Sequence, residues 1–138
     1  MIICVTVQSV KKKMKKSKKP TPKKLRETLW NHCKRIIRSK YGNTCFTCGK
    51  TNLEGSNWHT GHFLSSGSCG AFLRYDLRNL RPQCYNCNIN NGGAGALFYR
   101  NLVEREGQEY VEQLFSDKNK IVKASDHVIH LLSVYEKM

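Results

Sequence analysis

The sequence predicts an α+β fold, with a small strand–loop–strand–helix core between a basic N-terminal helix and further C-terminal helices. Three observations carry this expectation. Two Cys-x-x-Cys pairs, Cys45 with Cys48 and Cys84 with Cys87, bracket the middle of the chain. Short apolar runs of strand length lie between them. Apolar residues at helical spacing lie outside them. A chain of 138 residues makes one domain, and its modest core gives a structural metal weight in its stability.

Residues 1–23 read as a basic tail that stays disordered without a partner, since nine lysines and two prolines fall within positions 11–24. Residues 24–138 read as a single domain whose core covers about 42–106. Over residues 24–41, Leu25, Leu29, Cys33, Ile36 and Ile37 recur at helical spacing, and Gly42 supplies the stop. The other face carries Lys34, Arg35, Arg38 and Lys40. Residues 58–64 read as a strand, 65–70 as a Ser/Gly loop, and 79–82 as a second strand ending at the second cysteine pair. The helix expected after Cys87 is loosened by Asn90, Asn91, Gly92, Gly93 and Gly95, firms over 96–105 and stops at Gly107. Residues 109–115 and 125–136 are two more amphipathic helices, the second opened by a Ser125-Asp126 cap.

The net charge of +14 is unevenly placed. Residues 1–50 hold 15 Lys/Arg against the single acid Glu27, whereas residues 51–138 hold nine of each sign. A polyanion is the natural partner, bound with strong salt dependence. The plainer alternative is a solvated Lys tail that keeps the chain soluble. No apolar run approaches the roughly 18–20 residues of a membrane span. The mildly apolar residues 1–10 precede the Lys run, the wrong order for a secretory signal, so no export is expected.

Seven cysteines, an odd count with two paired motifs, argue for a reducing compartment and metal ligation over disulfides. Four thiolates favour zinc over harder cations and close its coordination, so this zinc is structural. The pairs stand 35 residues apart, against about 15–20 in a zinc ribbon. Cys33 fits the apolar helix face as a small core residue. Because a closed site does no chemistry, other groups must supply any reaction. His62, between the cysteine pairs, suits a proton acceptor near neutral pH. Asn88, fixed beside Cys87, offers a hard oxygen to Mg²⁺ or Mn²⁺. Each residue alone has a plainer reading, a structural histidine and a helix cap.

Gly61-His62, then Asn79, then Cys84-x-x-Cys87-Asn88 resembles the HNH (ββα-metal, or His-Me finger) endonuclease motif. The resemblance implies His62 as general base, Asn79 as the residue holding the loop that orients it, and Asn88 as ligand of a catalytic Mg²⁺ or Mn²⁺. The fold it implies is a small zinc-clamped ββα-metal (HNH) core. A closer resemblance, over residues 35–115, is to the NinG (Rap) recombination endonucleases of lambdoid phages. It rests on Cys45-x-x-Cys48-Gly49, Trp58-x-x-Gly61-His62, Leu73-Arg74-Tyr75, Gln83-Cys84-x-x-Cys87-Asn88 and Gly107-Gln108-Glu109. The chain is also similar to phage resolvases of the endonuclease VII type. These families imply metal-dependent cutting of branched DNA, such as Holliday junctions and D-loops, in the host cytoplasm, with a homodimer as a possible form.

The sequence departs from the HNH pattern in three places. Gly61 stands where many HNH enzymes place an Asp, as it does in NinG. His59 occupies a position where NinG relatives can have an acid, and reads as a metal ligand, a phosphate contact or a strand residue. A Lys often found after the last motif residue is replaced by Asn90, Asn91 and glycines, which leaves backbone amides at a helix start for DNA contact there. Lys34, Arg35, Arg38, Arg74, Arg78, Arg81 and Arg100 are the candidates for phosphate contact, each also readable as a surface cation. His127 and His130 read as surface or packing residues. The leading expectation is a DNA endonuclease. The alternatives are a non-catalytic zinc-stabilised nucleic-acid-binding module, or an HNH nicking or restriction-type enzyme on ordinary duplex.

Overall fold

A computed structural model describes residues 17–138. Most of the expected basic tail, with Cys4, lies outside the described residues. The first helix, α1 (Pro22–Tyr41), begins two residues before the apolar period does. Thr21 Oγ1 accepts the Lys24 amide at 3.2 Å, and Pro22 sits in the first turn, where its missing N–H costs nothing. Gly42, at φ 71°, ends the helix and donates its N–H to the Arg38 carbonyl. Leu29, Cys33, Ile36 and Ile37 are buried against Tyr75, Leu80, Val128 and Tyr135. Each such side chain contributes about 1.5–3 kcal/mol by leaving water. This packing fixes α1 beside the sheet.

The sheet has two antiparallel strands, β1 (His59–His62) and β2 (Leu80–Gln83), with His62 opposite Leu80 and His59 opposite Gln83. A lone pair of strands is marginal in water, and this one is covered by α1. Strand β1 is shorter than expected. A 3₁₀ turn, Gly55–Asn57, precedes Trp58, and Phe63 and Leu64 turn away to bond Asn79. Strand β2 starts one residue late because Leu77–Asn79 forms a 3₁₀ turn capped by the Asp76 side chain.

The loop between the strands contains a short helix, α2 (Gly70–Leu73), which its Ser/Gly composition concealed. Leu73 and Cys69 are buried with Phe46, Phe98, Leu102, Val111 and Leu114, which joins α2 to α3 (Gly95–Glu106) and α4 (Gln108–Asp117). The loosened helix expected after Cys87 is instead two elements. A π-helical turn, Asn86–Asn90, carries Asn88, and positive φ angles at Gly92, Gly93 and Ala94 break the chain before α3. The last helix, α5 (Ala124–Tyr135), packs on α1. Its expected Ser-Asp cap is absent, because Ser125 and Asp126 fall inside the first turn and no side chain caps it. No helix among the described residues is long and apolar enough to cross a membrane.

Candidate functional site

The two cysteine pairs converge. The sulfurs of Cys45, Cys48, Cys84 and Cys87 all lie within 4.8 Å of one another, and those of Cys48 and Cys84 are 3.7 Å apart. Four thiolates around zinc at about 2.3 Å stand about 3.8 Å from one another. The cluster could therefore hold a metal such as zinc. Leu53 is buried against it, with Trp58 and Ala94 packed alongside. Burial disfavours the Cys45 thiolate, but the Thr47 hydroxyl at 3.3 Å and nearby backbone amides outweigh it, giving a pKa of about 6. Burial pushes Cys48 up, and Cys87 up to about 12. Filling the cluster thus releases protons, as metal capture by thiols does.

His62 ends β1. Its Nε2–H donates to the Arg74 carbonyl at 2.8 Å. A carbonyl only accepts, so the proton sits on Nε2 and Nδ1 keeps its lone pair. The imidazole lies flat on Trp30, with ring centres 5.3 Å apart and planes 6° from parallel. Burial lowers the His62 pKa below its ordinary value, although the Arg74 carbonyl opposes this. At neutral pH the ring is neutral and able to accept a proton.

Asn79 is completely buried. Its Oδ1 accepts the Leu64 amide at 2.8 Å, and its Nδ2 donates to the Leu64 carbonyl at 3.0 Å and the Leu73 carbonyl at 3.4 Å. One side chain thus pins the chain leaving His62 to the end of α2, one residue before Arg74.

Asn88 is tied to the metal cluster through its N–H, which donates to the Cys84 carbonyl at 3.0 Å. Its Nδ2 donates to His59 Nδ1 at 2.9 Å, and His59 Nε2–H donates to the Ser56 carbonyl at 2.8 Å. Asn88 Oδ1 has no partner among the described residues. No hydrogen bond joins His62 to Asn88. They line two cavities, each of about 380 Å³, that follow one another along α1 and share Trp30 as a wall.

The expected phosphate contacts divide. Lys34 and Arg38 line the Asn88 cavity, Arg74 lines the His62 cavity, and Arg100 is exposed. Arg81 is a correction: it is fully buried, with its guanidinium 4.4 Å from the Tyr41 ring centre and bonded to the Leu80 carbonyl and the Tyr110 hydroxyl. Arg35 donates to the Tyr135 and Met138 carbonyls, which occupies it with the C-terminus. Arg78 is paired with Asp76 at 2.7 Å and Asp117 at 2.8 Å. These three hold the fold together. Sequence reading missed Lys23, Arg26 and Trp30, whose helical spacing with Lys34 and Arg38 was the available signal. His127 packs on Phe72 and bonds its carbonyl, whereas His130 is exposed.

Residues 6–138 match the family model described as Bacteriophage Lambda NinG protein. The chain belongs to the NinG family. Among curated NinG proteins, those of Escherichia phage 933W, Escherichia phage lambda and Salmonella phage P22 are 33%, 32% and 32% identical to it over 76 residues. That stretch is 55% of this chain and 36% of each relative. The chain thus matches just over a third of the length of these NinG proteins. No solved structure matches it.

Proposed function

We propose that this NinG-family protein is a metal-dependent DNA endonuclease of the HNH (His-Me finger) type that cuts branched DNA such as Holliday junctions and D-loops. The observation that carries the reading is the state of His62. A neutral ring whose only N–H is taken by a backbone carbonyl offers Nδ1 alone as proton acceptor, in a cavity rimmed by Arg26 and Arg74. Phosphodiester hydrolysis needs water to lose a proton as it attacks, and a positioned base contributes about 10²–10⁴-fold. On this reading β1, β2 and the helical turn bearing Asn88 form the ββα-metal core, clamped by a structural zinc.

Asn79 keeps the base aimed through its hold on Leu64. Asn88 Oδ1, a free hard oxygen, would hold Mg²⁺ or Mn²⁺, and His59, whose Nδ1 accepts the Asn88 amide, would fix the direction in which that oxygen points. When bound, that ion would supply charge stabilisation at the phosphate and the leaving oxygen. Arg74 and Arg26 would hold the phosphate for attack. Branched DNA as the substrate rests on the resemblance to NinG (Rap) and endonuclease VII-type resolvases, not on a residue of the site. Paired cuts across a junction would call for two copies of the chain.

One observation favours a second reading. Asn88 is turned to His59 and lines a different cavity from His62, as suits a zinc-stabilised nucleic-acid binder without catalysis. The deciding experiment compares a labelled four-way junction with its matching duplex, in Mg²⁺, Mn²⁺ or no added divalent ion, for zinc-loaded wild type and His62→Ala. Metal-dependent cutting of the junction alone, lost in the zinc-loaded variant, is the expected result. Cutting of both substrates would discard junction selectivity. Binding without cutting would discard the enzyme.

A further inference from the structure

We infer that a nucleic-acid backbone runs along one face of α1, the face bearing Lys23, Arg26, Trp30, Lys34 and Arg38. This helix is then the second wall of the groove whose first wall carries His62 and Asn88. The inference rests on the reading above for what the groove does, and on the geometry of α1 for where its contents lie.

The five residues recur every three or four positions, so they form one stripe. From Lys23 to Arg38 the helix rises about 22 Å, room for about six nucleotides at about 3.4 Å each. Both cavities open on this stripe. Lys23, Arg26 and Trp30 face His62 and Arg74 in the first, and Trp30, Lys34 and Arg38 face His59 and Asn88 in the second. Among the described residues no carboxylate pairs with any of the four cations, and Glu27 is the one acid lining either cavity.

Arg38 is held ready. Its guanidinium lies 4.4 Å from the Trp58 ring centre, and Nη2 donates to the Trp58 carbonyl at 2.8 Å. Its Nε and the hydroxyl of Thr60, in the same cavity wall, are buried without partners. Such groups are costly to leave unpaired, and a seated phosphate could supply the missing partner. A strand that reaches both His62 and Asn88 must cross Trp30, which places the phosphate to be cut at that ring.

The test is binding by the zinc-loaded protein with no Mg²⁺ or Mn²⁺ added, so that cutting plays no part. A four-way junction and a duplex are titrated over a range of salt with wild type, with the stripe variant Lys23→Gln/Arg26→Gln/Lys34→Gln, and with the control Lys24→Gln/Lys40→Gln/Lys137→Gln. Both variants lose three exposed or partly exposed cations. The stripe variant is expected to bind at least about tenfold more weakly and to lower the salt slope by about 2–3, since each neutralised phosphate contributes about 0.9. The control should stay within about threefold of wild type, as charges off the track act only through general attraction. Equal behaviour of the two variants would overturn the inference. A wild type that shows the predicted pattern but never cuts would sink the nuclease reading and support the stripe. A wild type that cuts, with stripe and control alike, would do the reverse.

Discussion

Gly61 and Gln83 compete for one volume: a Cβ on Gly61 would stand 1.8 Å from Gln83 Oε1. The Gln83 amide cannot easily retreat, because Nε2 donates to Thr47 Oγ1 at 3.1 Å and to the Gly93 carbonyl at 2.9 Å. Thr47 in turn touches the Cys45 sulfur. The residue before His62 is therefore bare for a packing reason, and an acid has no room there.

Gly61→Ala should destabilise the metal-loaded protein by about 1–3 kcal/mol, the usual cost of an overpacked interior. Gln83→Ala removes the clash, so the double variant should lose less than the two single losses combined. Urea unfolding of all four proteins measures this, and strict additivity would refute the contact.

Asn79→Ala should cost about 2–4 kcal/mol, because it strands the Leu64 N–H and C=O in the interior. Hydrogen exchange at Phe63 and Leu64 should accelerate more than at the α1 core. Unchanged protection there would show that the amide does not hold this turn.

Burial of His62 sets a pH dependence. The folded ring binds a proton less readily than the unfolded chain, whose imidazole titrates near about 6.5. Above that pH both states are neutral at this site. As pH falls below it, the unfolded state takes up the proton first, so stability drops until the folded ring is protonated too. The stability gap between wild type and His62→Gln should therefore shift against wild type from pH 7.5 to 5. Cleavage, where His62 is the base, should fall on the acid side of about pH 6.5 and level off above it. An acid limb centred above 7 would contradict the placement of the ring.

Cys84→Ala should abolish stoichiometric zinc and lower the melting temperature sharply, since a structural zinc contributes about 10–16 kcal/mol of apparent binding in small domains. Metal analysis beside thermal unfolding checks both effects. Thr47→Val should weaken zinc retention less, through the hydrogen bond that favours the Cys45 thiolate. Full metal content in Cys84→Ala would remove the cluster from the argument.

The sequence made some of this legible. The buried face of α1 followed from the spacing of Leu29, Cys33, Ile36 and Ile37, and the cysteine cluster from its pairing, because both signals are local. What escaped depended on distant residues meeting. Arg81 reads like any surface cation until Tyr41 and Tyr110, 40 and 29 residues away, close around it. The His59 and Asn88 bond links a strand to a π-helical turn, and such a turn has no periodic signature. The polar stripe of α1 was visible as spacing, but not which wall it would face.

The cysteine cluster also orders events during synthesis. Cys45 and Cys48 leave the ribosome well before Cys84 and Cys87, with both strands made in between. The clamp therefore closes only after His62, Asn79 and β2 have all emerged, and Asn88 follows its last ligand by a single residue. A chain truncated before Cys87 carries His62 but lacks the cluster that would fix the strands around it. Whatever the site does, the order of the residues ties it to a chain that has been made past its last cysteine.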